Sequence, residues 1–334
     1  MNVNIDRVRE VLREPAALSW AKLLDNVCSA FTFHGGVATA AEINKQDRAV
    51  GKLDLLLSSA AWDLWRSYSA DVPRTADRLA NWWAERPAGR AVLILDGLSL
   101  RELPWILAGA NARNYIVHRV DVTGAELPAD TTSFARALGA PTRGSLENRG
   151  ATASFRLSGA ATDVTGVPFA DALGCVPTSA DVFLWHTWPD DRLHELAKPG
   201  LGLDQLAAEA KEQLGSDGFW ALIHKLTQGR RLIITADHGY AASGLFPDVQ
   251  DEAQAKWLRD LFKAQRYAAV DGDIEQPWLP PLAITLQSQH GRHAFALGRR
   301  RWKVPGGHPA LTHGGLSLLE VAVPFVELSR PAGV

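Results

Sequence analysis

The sequence predicts an α/β fold, in which a three-layer sandwich of helices surrounds a mostly parallel sheet. The evidence is three short apolar runs, at residues 91–97, 180–186 and 231–240, that are separated by segments of helical spacing. A strand covered on both faces reads as a continuous apolar run, without alternating polar side chains. The repeated order of apolar run and helical segment is typical of β-α-β units.

The first part of the chain predicts packed helices. Apolar residues recur at helical spacing through residues 4–86, so we expect a helical N-terminal region at residues 1–88 and a second domain at residues 89–334. Tryptophans are frequent here, and we interpret them as core between helices rather than as a platform for stacked bases. They are Trp20, Trp62, Trp65, Trp82 and Trp83.

The remaining elements follow in order. Residues 98–110 predict a helix and 115–120 a strand, which gives a βαβ unit with a right-handed crossover. One long helix is expected over 203–228. A hairpin is expected with strands at 284–286 and 294–297. A short helix and a terminal strand follow His313.

Composition bounds the class of protein. The chain has 334 residues, of which 46% are hydrophobic, and its net charge of -2 gives no general footprint for nucleic acid. The basic run at 298–301 could still contact phosphates. Two cysteines fit a reducing compartment and leave metal binding to Asp, Glu and His. With no apolar run near the roughly 20 residues that span a bilayer, we expect a cytoplasmic protein without membrane contact.

Polar residues stand where the apolar runs end. Asp96 follows the first run, and the pair Asp237 and His238 ends the third. Ligands of open α/β sheets collect outside the carboxyl ends of the strands, so these side chains are placed for chemistry. Asp190 and His194 lie four residues apart and would share a helix face, with Asp191 as an alternative carboxylate.

A threonine pair precedes another predicted helix. Asp130, Thr131 and Thr132 lie near its N-cap, and plain capping explains residues of this type. The functional interpretation is that a hydroxyl at this position attacks a phosphate held by the helix end. His313 precedes two glycines, which let the backbone approach closely.

The ordered set Asp, Thr, Asp-x-x-x-His, Asp-His-Gly and His-Gly-Gly resembles the alkaline phosphatase superfamily over roughly residues 91–328. Its detail resembles the PglZ branch, known from BREX-type phage defence and from effector domains of two-component regulators. The resemblance implies two Zn²⁺ ions and a threonine nucleophile, Thr132, with Thr131 as the alternative. Arg136, one helical turn after Thr132, and Arg101 are hypothetical partners of phosphate oxygens, with surface charge as the ordinary interpretation of Arg101. The implied metal ligands are Asp190, His194 and His313 for one ion, and Asp96, Asp237 and His238 for the other.

The function expected from this resemblance is a zinc-dependent phosphodiesterase. Two ions would clamp the attacking and leaving oxygens of nucleotide or oligonucleotide phosphoesters, in phage defence or signalling. A sulfatase or phosphotransferase is a rival on the same fold, although a sulfatase would carry Cys or Ser in place of Thr132. The alternative is a non-catalytic scaffolding subunit of a defence complex that retains its metal sites. The N-terminal helices could contact protein partners of such a complex.

Overall fold

A six-stranded sheet forms the centre of the protein. The structure, a computed structural model, describes residues 10–32, 38–198 and 202–331. The strands of this sheet are β1 (Arg90–Leu95), β2 (Ile116–Gly124), β3 (Ala161–Thr165), β4 (Val182–His186), β5 (Arg231–Thr235) and β9 (Ala322–Ser329). They run in the order β2-β9-β5-β1-β4-β3, and only β9 is antiparallel to its neighbours.

The three predicted apolar runs are the central strands. β1 lies between β4 and β5, and Leu93 pairs with Leu184 on one side and Ile234 on the other. All three side chains are fully buried. Helices cover the sheet, so the predicted α/β class with a mostly parallel sheet is confirmed.

Helices occupy the connections. The predicted helix over 203–228 is two helices instead, because Ser216 adopts an extended conformation and its hydroxyl accepts a hydrogen bond from the amide of Phe219 at 3.2 Å. The helices are α1 (Ala16–Phe31), α2 (Ala40–Ser59), α3 (Tyr68–Asp71), α4 (Thr75–Ala84), α5 (Leu103–Ala112), α6 (Thr131–Ala137), α7 (Asp190–Glu195), α8 (Leu203–Gly215), α9 (Asp217–Leu226), α10 (Glu252–Phe262) and α11 (Leu318–Val321). Short 3₁₀ helices lie at Trp62–Ser67, Arg143–Arg149, Ala172–Cys175 and Ser243–Leu245.

The N-terminal region is helical where the structure describes it; residues 4–9 and 33–37 of the predicted helical stretch lie outside the described residues. Its tryptophans are core, as predicted. Trp20 and Trp65 are buried and meet edge to face with ring centroids 5.0 Å apart. Trp82 and Trp83 are also buried, whereas Trp62 is partly exposed. The same hydrophobic core includes side chains of these helices and of the sheet.

The position of β2 differs from the predicted βαβ unit. β2 is parallel to β1, but β5 and β9 lie between them, and β2 is an edge strand. The last strand of the chain, β9, inserts antiparallel between β2 and β5. A sequence pattern does not show which later strand will pair with an earlier one, and the unpredicted β3 is at the opposite edge.

A smaller sheet packs beside the large one. It contains β6 (Tyr267–Ala269), β7 (Ala283–Ser288) and β8 (Gly291–Ala296), in the order β6-β8-β7. β7 and β8 form the predicted hairpin, with both strands longer than expected.

The basic run at 298–301 is used within the fold and is not a free phosphate-binding patch. Arg299 forms ion pairs with two carboxylates of α2. Arg300 donates to main-chain carbonyl oxygens, and Arg301 pairs with Asp248. Among the described residues, no helix combines the length and the apolar character needed to cross a membrane.

Protonation of His186, at the end of β4, destabilises the fold. Its ring bonds Val167 O through Nε2 at 2.9 Å, and Nδ1 accepts the amide of Trp188 at 3.1 Å, so only the neutral ring suits both partners. Burial lowers the pKa of His186 from 6.5 to about 4. Between these values the unfolded chain binds a proton that the folded chain does not, and stability falls as the pH falls through this window.

We therefore expect His186→Asn, whose amide oxygen can still accept from Trp188, to lose less stability than the wild type between pH 6.5 and pH 4. The difference should be on the order of 2–3 kcal/mol. Denaturant unfolding at both pH values, with a chelator present, measures it. Equal losses in the two proteins would show that His186 titrates at its ordinary pKa.

Candidate metal centre

The carboxyl ends of three adjacent strands bring three aspartates together. Asp96 directly follows β1, Asp237 follows β5, and Asp190 begins α7 after β4. The amide of Asp190 donates to Asp96 O at 2.9 Å, and the amide of Gly97 donates to Asp237 Oδ1 at 2.9 Å. Gly97 has φ +72°, and an added Cβ would lie 2.9 Å from a side-chain carbon of Leu193. The turn after β1 therefore suits only glycine.

Asp96, Asp237 and His238 form a fully buried cluster. Their potential ligand atoms all lie within 4.8 Å of one another. His238 Nε2 is 3.7 Å from Asp96 Oδ1 and 3.5 Å from Asp237 Oδ2. His238 Nδ1 donates to Gly239 O at 2.9 Å, so Nε2 is the ring nitrogen that faces the carboxylates.

Asp190, His194 and His313 form a second cluster of the same size. Asp190 and His194 share one face of α7, and His194 Nε2 lies 3.2 Å from Asp190 Oδ2. Asp191, the alternative carboxylate, instead accepts a hydrogen bond from Thr187. His313 Nδ1 bonds Ala129 O at 3.1 Å, which leaves its Nε2 free to bind a cation.

The two clusters adjoin. The rings of His238 and His313 are stacked, with centroids 4.2 Å apart and planes at 18°. His313 is followed by Gly314 at φ +98°, where an added Cβ would lie 2.4 Å from the ring of Tyr267. The glycine after His313 therefore allows the small sheet to pack against this loop.

Several buried ligand atoms lack a partner. Among the described residues, nothing donates a hydrogen bond to Asp190 Oδ1 or Asp237 Oδ2, and His238 Nε2 is also unpaired. Burying such atoms without a partner is costly, and a divalent cation would satisfy them. Carboxylate oxygens and neutral imidazole nitrogens are the donors that Zn²⁺ binds. The residues present therefore fit two metal ions.

The pKa shifts show how concentrated the negative charge is. Burial, then the neighbouring carboxylates of Asp237 and Asp190, raise the pKa of Asp96 well above its usual range. Burial lowers the pKa of His238, but the charges of Asp237, Asp190 and Asp96 outweigh it and raise the value to about 9. In Asp190, burial raises the pKa, but the hydrogen bond from His194 and the charges of the nearby histidines lower it overall. The centre favours positive charge.

Of the two threonines, the structure brings Thr131 to the clusters. Thr131 Oγ1 donates to Asp96 Oδ1 at 3.3 Å, whereas the side chain of Thr132 is exposed. Successive helical residues point about 100° apart, so only one of them can face the aspartate. Asp130 caps α6 by accepting the amide of Ser133 at 2.7 Å, and its other oxygen accepts Tyr267 OH at 2.8 Å.

The predicted arginines lie elsewhere. Arg136 lies on α6 with its side chain exposed. Arg101 is neither a phosphate partner nor surface charge: it is 1% exposed and pairs with Asp47 at 2.6 Å.

Two residues that the sequence did not suggest contact Asp96. Arg143 forms an ion pair with Asp96 Oδ2 while its side chain stays 30% exposed, and Trp185 Nε1 donates to the same oxygen at 2.9 Å. Arg143 begins a 3₁₀ helix behind a capping box of Thr142 and Ser145. That Thr-x-x-Ser pattern was visible in the sequence, but it marks only a helix start and not the direction of Arg143.

The structure is similar to parts of solved structures. Murine ectonucleotide pyrophosphatase/phosphodiesterase 5 in complex with AMP is 17% identical, and the match covers 50% of this chain and 53% of that chain with a TM-score of 0.31. Phosphonoacetate hydrolase from Sinorhizobium meliloti 1021 in complex with phosphonoformate is 15% identical. That match covers 73% of this chain and 91% of the hydrolase chain, with a TM-score of 0.41. The chain thus spans about half the length of the murine protein. Similarity at this level does not assign an activity.

The sequence matches no protein-family model. No curated protein matches it either.

The clusters predict the metal content. We expect the purified chain to bind about two Zn²⁺ ions, as a two-metal centre requires. His313→Ala should lower the content by about one ion, since it removes a donor from only one cluster. Elemental analysis after dialysis measures this, with His224→Ala on the exposed face of α9 as a matched control. A wild type that holds no divalent metal would contradict the assignment.

Proposed function

We propose that this chain is a zinc-dependent phosphohydrolase of the alkaline phosphatase superfamily that acts on phosphodiesters through Thr131. One observation carries the proposal: the Thr131 hydroxyl bonds a carboxylate that belongs to one of two adjoining clusters of oxygen and nitrogen donors. The Thr131 hydroxyl and the Arg143 guanidinium share the Asp96 carboxylate, and two potential metal sites adjoin it. Phosphoryl transfer needs these parts.

The proposed ligands are those of the two clusters, and zinc bound there would stabilise charge on the attacking and leaving oxygens. Asp96 has two tasks among the chain's own residues. Its Oδ1 accepts the Thr131 hydroxyl and so orients Oγ1, and its Oδ2 is held by Arg143 and Trp185. The nucleophile is thus fixed by a carboxylate that cannot rotate without breaking three contacts.

The reaction would proceed in two displacements. Thr131 Oγ1 bonds to phosphorus, its proton passes to solvent, and the bond from phosphorus to the leaving alcohol breaks, with the alkoxide taking a proton from solvent. Water then attacks the phosphothreonine, which releases the phosphate product and restores the hydroxyl. Asp96 holds Oγ1 in place as the attacking group of the first step and the leaving group of the second.

Arg143 is the proposed partner of the substrate phosphate. Its guanidinium pairs with Asp96, the carboxylate that accepts the Thr131 hydroxyl, and is partly open to solvent. An N–H donor therefore remains accessible to a bound anion. Planar guanidinium groups bind phosphate oxygens in pairs. The burial of Arg101 and the exposed position of Arg136 leave Arg143 better placed than either predicted arginine.

Nucleotide or oligonucleotide diesters, the PglZ branch and a role in phage defence are supported by the sequence resemblance of residues 91–328. The alternative is a scaffolding subunit that retains its metal sites but does not hydrolyse phosphoesters, and the activity assay below distinguishes the two.

Removal of the Thr131 hydroxyl should abolish turnover. We expect Thr131→Ala to lower kcat by about 10³-fold or more, because a covalent nucleophile is lost. Thr131→Ser should keep substantial activity. Thr132→Ala is the matched control, and it should resemble the wild type because that side chain faces solvent.

Hydrolysis of bis-p-nitrophenyl phosphate and p-nitrophenyl phosphate, with zinc content determined for each protein, measures the effect. A dead Thr132→Ala beside an active Thr131→Ala would reverse the assignment of the nucleophile. Zinc-loaded wild type that hydrolyses neither compound would favour the scaffolding role.

Loss of the Arg143 guanidinium should weaken substrate recognition. We expect Arg143→Gln to lower kcat/KM by about 10- to 100-fold, the range for a lost hydrogen bond to a charged group. Arg136→Gln serves as the control, since that side chain is exposed. Steady-state kinetics on the preferred compound test this, and equal losses in both variants would contradict the role of Arg143.

A further inference from the structure

Two carboxylates of α2 are buried far along the sequence from the metal centre. Asp47 and Asp54 are each 1% exposed, and Arg299 joins them, with Nη1 2.7 Å from Asp47 Oδ2 and Nε 2.7 Å from Asp54 Oδ2. A buried ion pair adds little net stability, because removing charges from water offsets most of the attraction between them. Its geometry, however, is well defined by the fixed directions of the hydrogen bonds.

Asp47 connects to the loop that carries His238. Its Oδ1 accepts Arg101 Nη2 at 2.6 Å and Nε at 3.0 Å. Arg101 Nη1 in turn donates to the main-chain oxygen of Tyr240 at 2.8 Å, two residues beyond His238. The same guanidinium lies over the Tyr240 ring, 4.5 Å from its centroid.

Asp54 connects to the loop that carries His313. Its Oδ1 accepts the amide of Leu318, the first residue of α11, at 2.7 Å. Glu320, in the same short helix, accepts the amide of Gly315 at Oε1 at 2.8 Å, two residues beyond His313. The main-chain oxygen of Glu320 accepts the amide of Gly239 at 2.9 Å, so α11 holds both histidine loops.

The support for Glu320 is also buried. Arg266 pairs with its Oε1 at 2.8 Å, and the Ser317 hydroxyl donates to its Oε2 at 2.7 Å. Arg266 also donates to Gly298 O, the residue before Arg299, at 2.7 Å. The contacts of α2 and those of Glu320 therefore meet in one connected set.

We propose that Asp47 and Asp54 are positioning residues that set the loops of His238 and His313, so that α2 is part of the catalytic centre rather than a separate partner-binding module. This rests on the proposed function, since those histidines matter as metal ligands. Residues that orient metal ligands through intervening hydrogen bonds change metal affinity when they are replaced. No side chain of α2 needs to touch the metal or the substrate.

The test compares Asp47→Asn and Asp54→Asn in the full chain with Leu57→Ala, a core truncation on the same helix. The first readout is zinc affinity by chelator competition. The second is hydrogen exchange of the Gly239 and Gly315 amides in zinc-free protein, with the Leu93 amide of β1 as reference. The amides of Gly239 and Gly315 donate hydrogen bonds, and Leu93 lies in the central strand between β4 and β5.

We expect each Asp→Asn variant to bind zinc about tenfold more weakly, as for other supporting residues of metal sites. Exchange at Gly239 should accelerate in Asp47→Asn, and at both glycines in Asp54→Asn, with Leu93 unchanged. Leu57→Ala should accelerate Leu93 through global unfolding and leave zinc affinity as in the wild type. The proposal would be overturned if the Asp→Asn variants changed zinc affinity and the exchange rates of Gly239 and Gly315 no more than Leu57→Ala does.

If Asp54→Asn does not fold, Arg299→Lys provides the same test, because it keeps the charge but loses the paired geometry that joins both carboxylates. We expect the same weakening of zinc binding and the same faster exchange, and wild-type values would overturn the proposal. A wild type that binds no zinc would refute the proposed function, while the exchange rates would still decide the positioning role separately.

Discussion

Three buried carboxylates pack together at the carboxyl ends of β5, β1 and β4, and the rest of this centre depends on that constraint. Asp96, Asp190 and Asp237 repel one another, and water cannot screen them because all three are buried. His194 of α7, the loop residues His238 and His313, and Arg143 surround them, which is the compensation that the chain itself supplies. The backbone bonds between the turns hold the aspartates in place against that repulsion.

Much of this arrangement could be predicted from local patterns. A continuous apolar run that ends in Asp or Asp-His specifies both a buried strand and the end at which its polar residues emerge, and these signals lie within ten residues. This signal accounts for Asp96, Asp237 and His238, and the four-residue spacing of Asp190 and His194 accounts for their shared helix face. With His313, the six predicted metal-binding side chains fall into the two predicted groups in the structure. Their binding of metal stays a prediction.

What the sequence did not provide depends on rotation or on distant contacts. A shift of one position turns a helical side chain by about 100°, so a place near the helix N-cap could not decide between Thr131 and Thr132. Arg143 is 47 positions from Asp96, and no periodicity links the two. Arg101 was misjudged for the same reason, since its partner Asp47 lies on a helix 54 positions away. The place of β2 was set by β9, more than 190 residues later.

The stacked rings of His238 and His313 have a consequence for how the centre would fill. Each ring belongs to a different cluster, and the pair is in contact over its faces. A cation that fixes the orientation of one ring also restricts the other, and thereby removes part of the ordering entropy that the second cation would otherwise have to overcome. Such coupling must be reciprocal. The two bound cations also repel each other. Where the coupling through the stacked rings exceeds this repulsion, the two clusters fill cooperatively and molecules with one cation are rare.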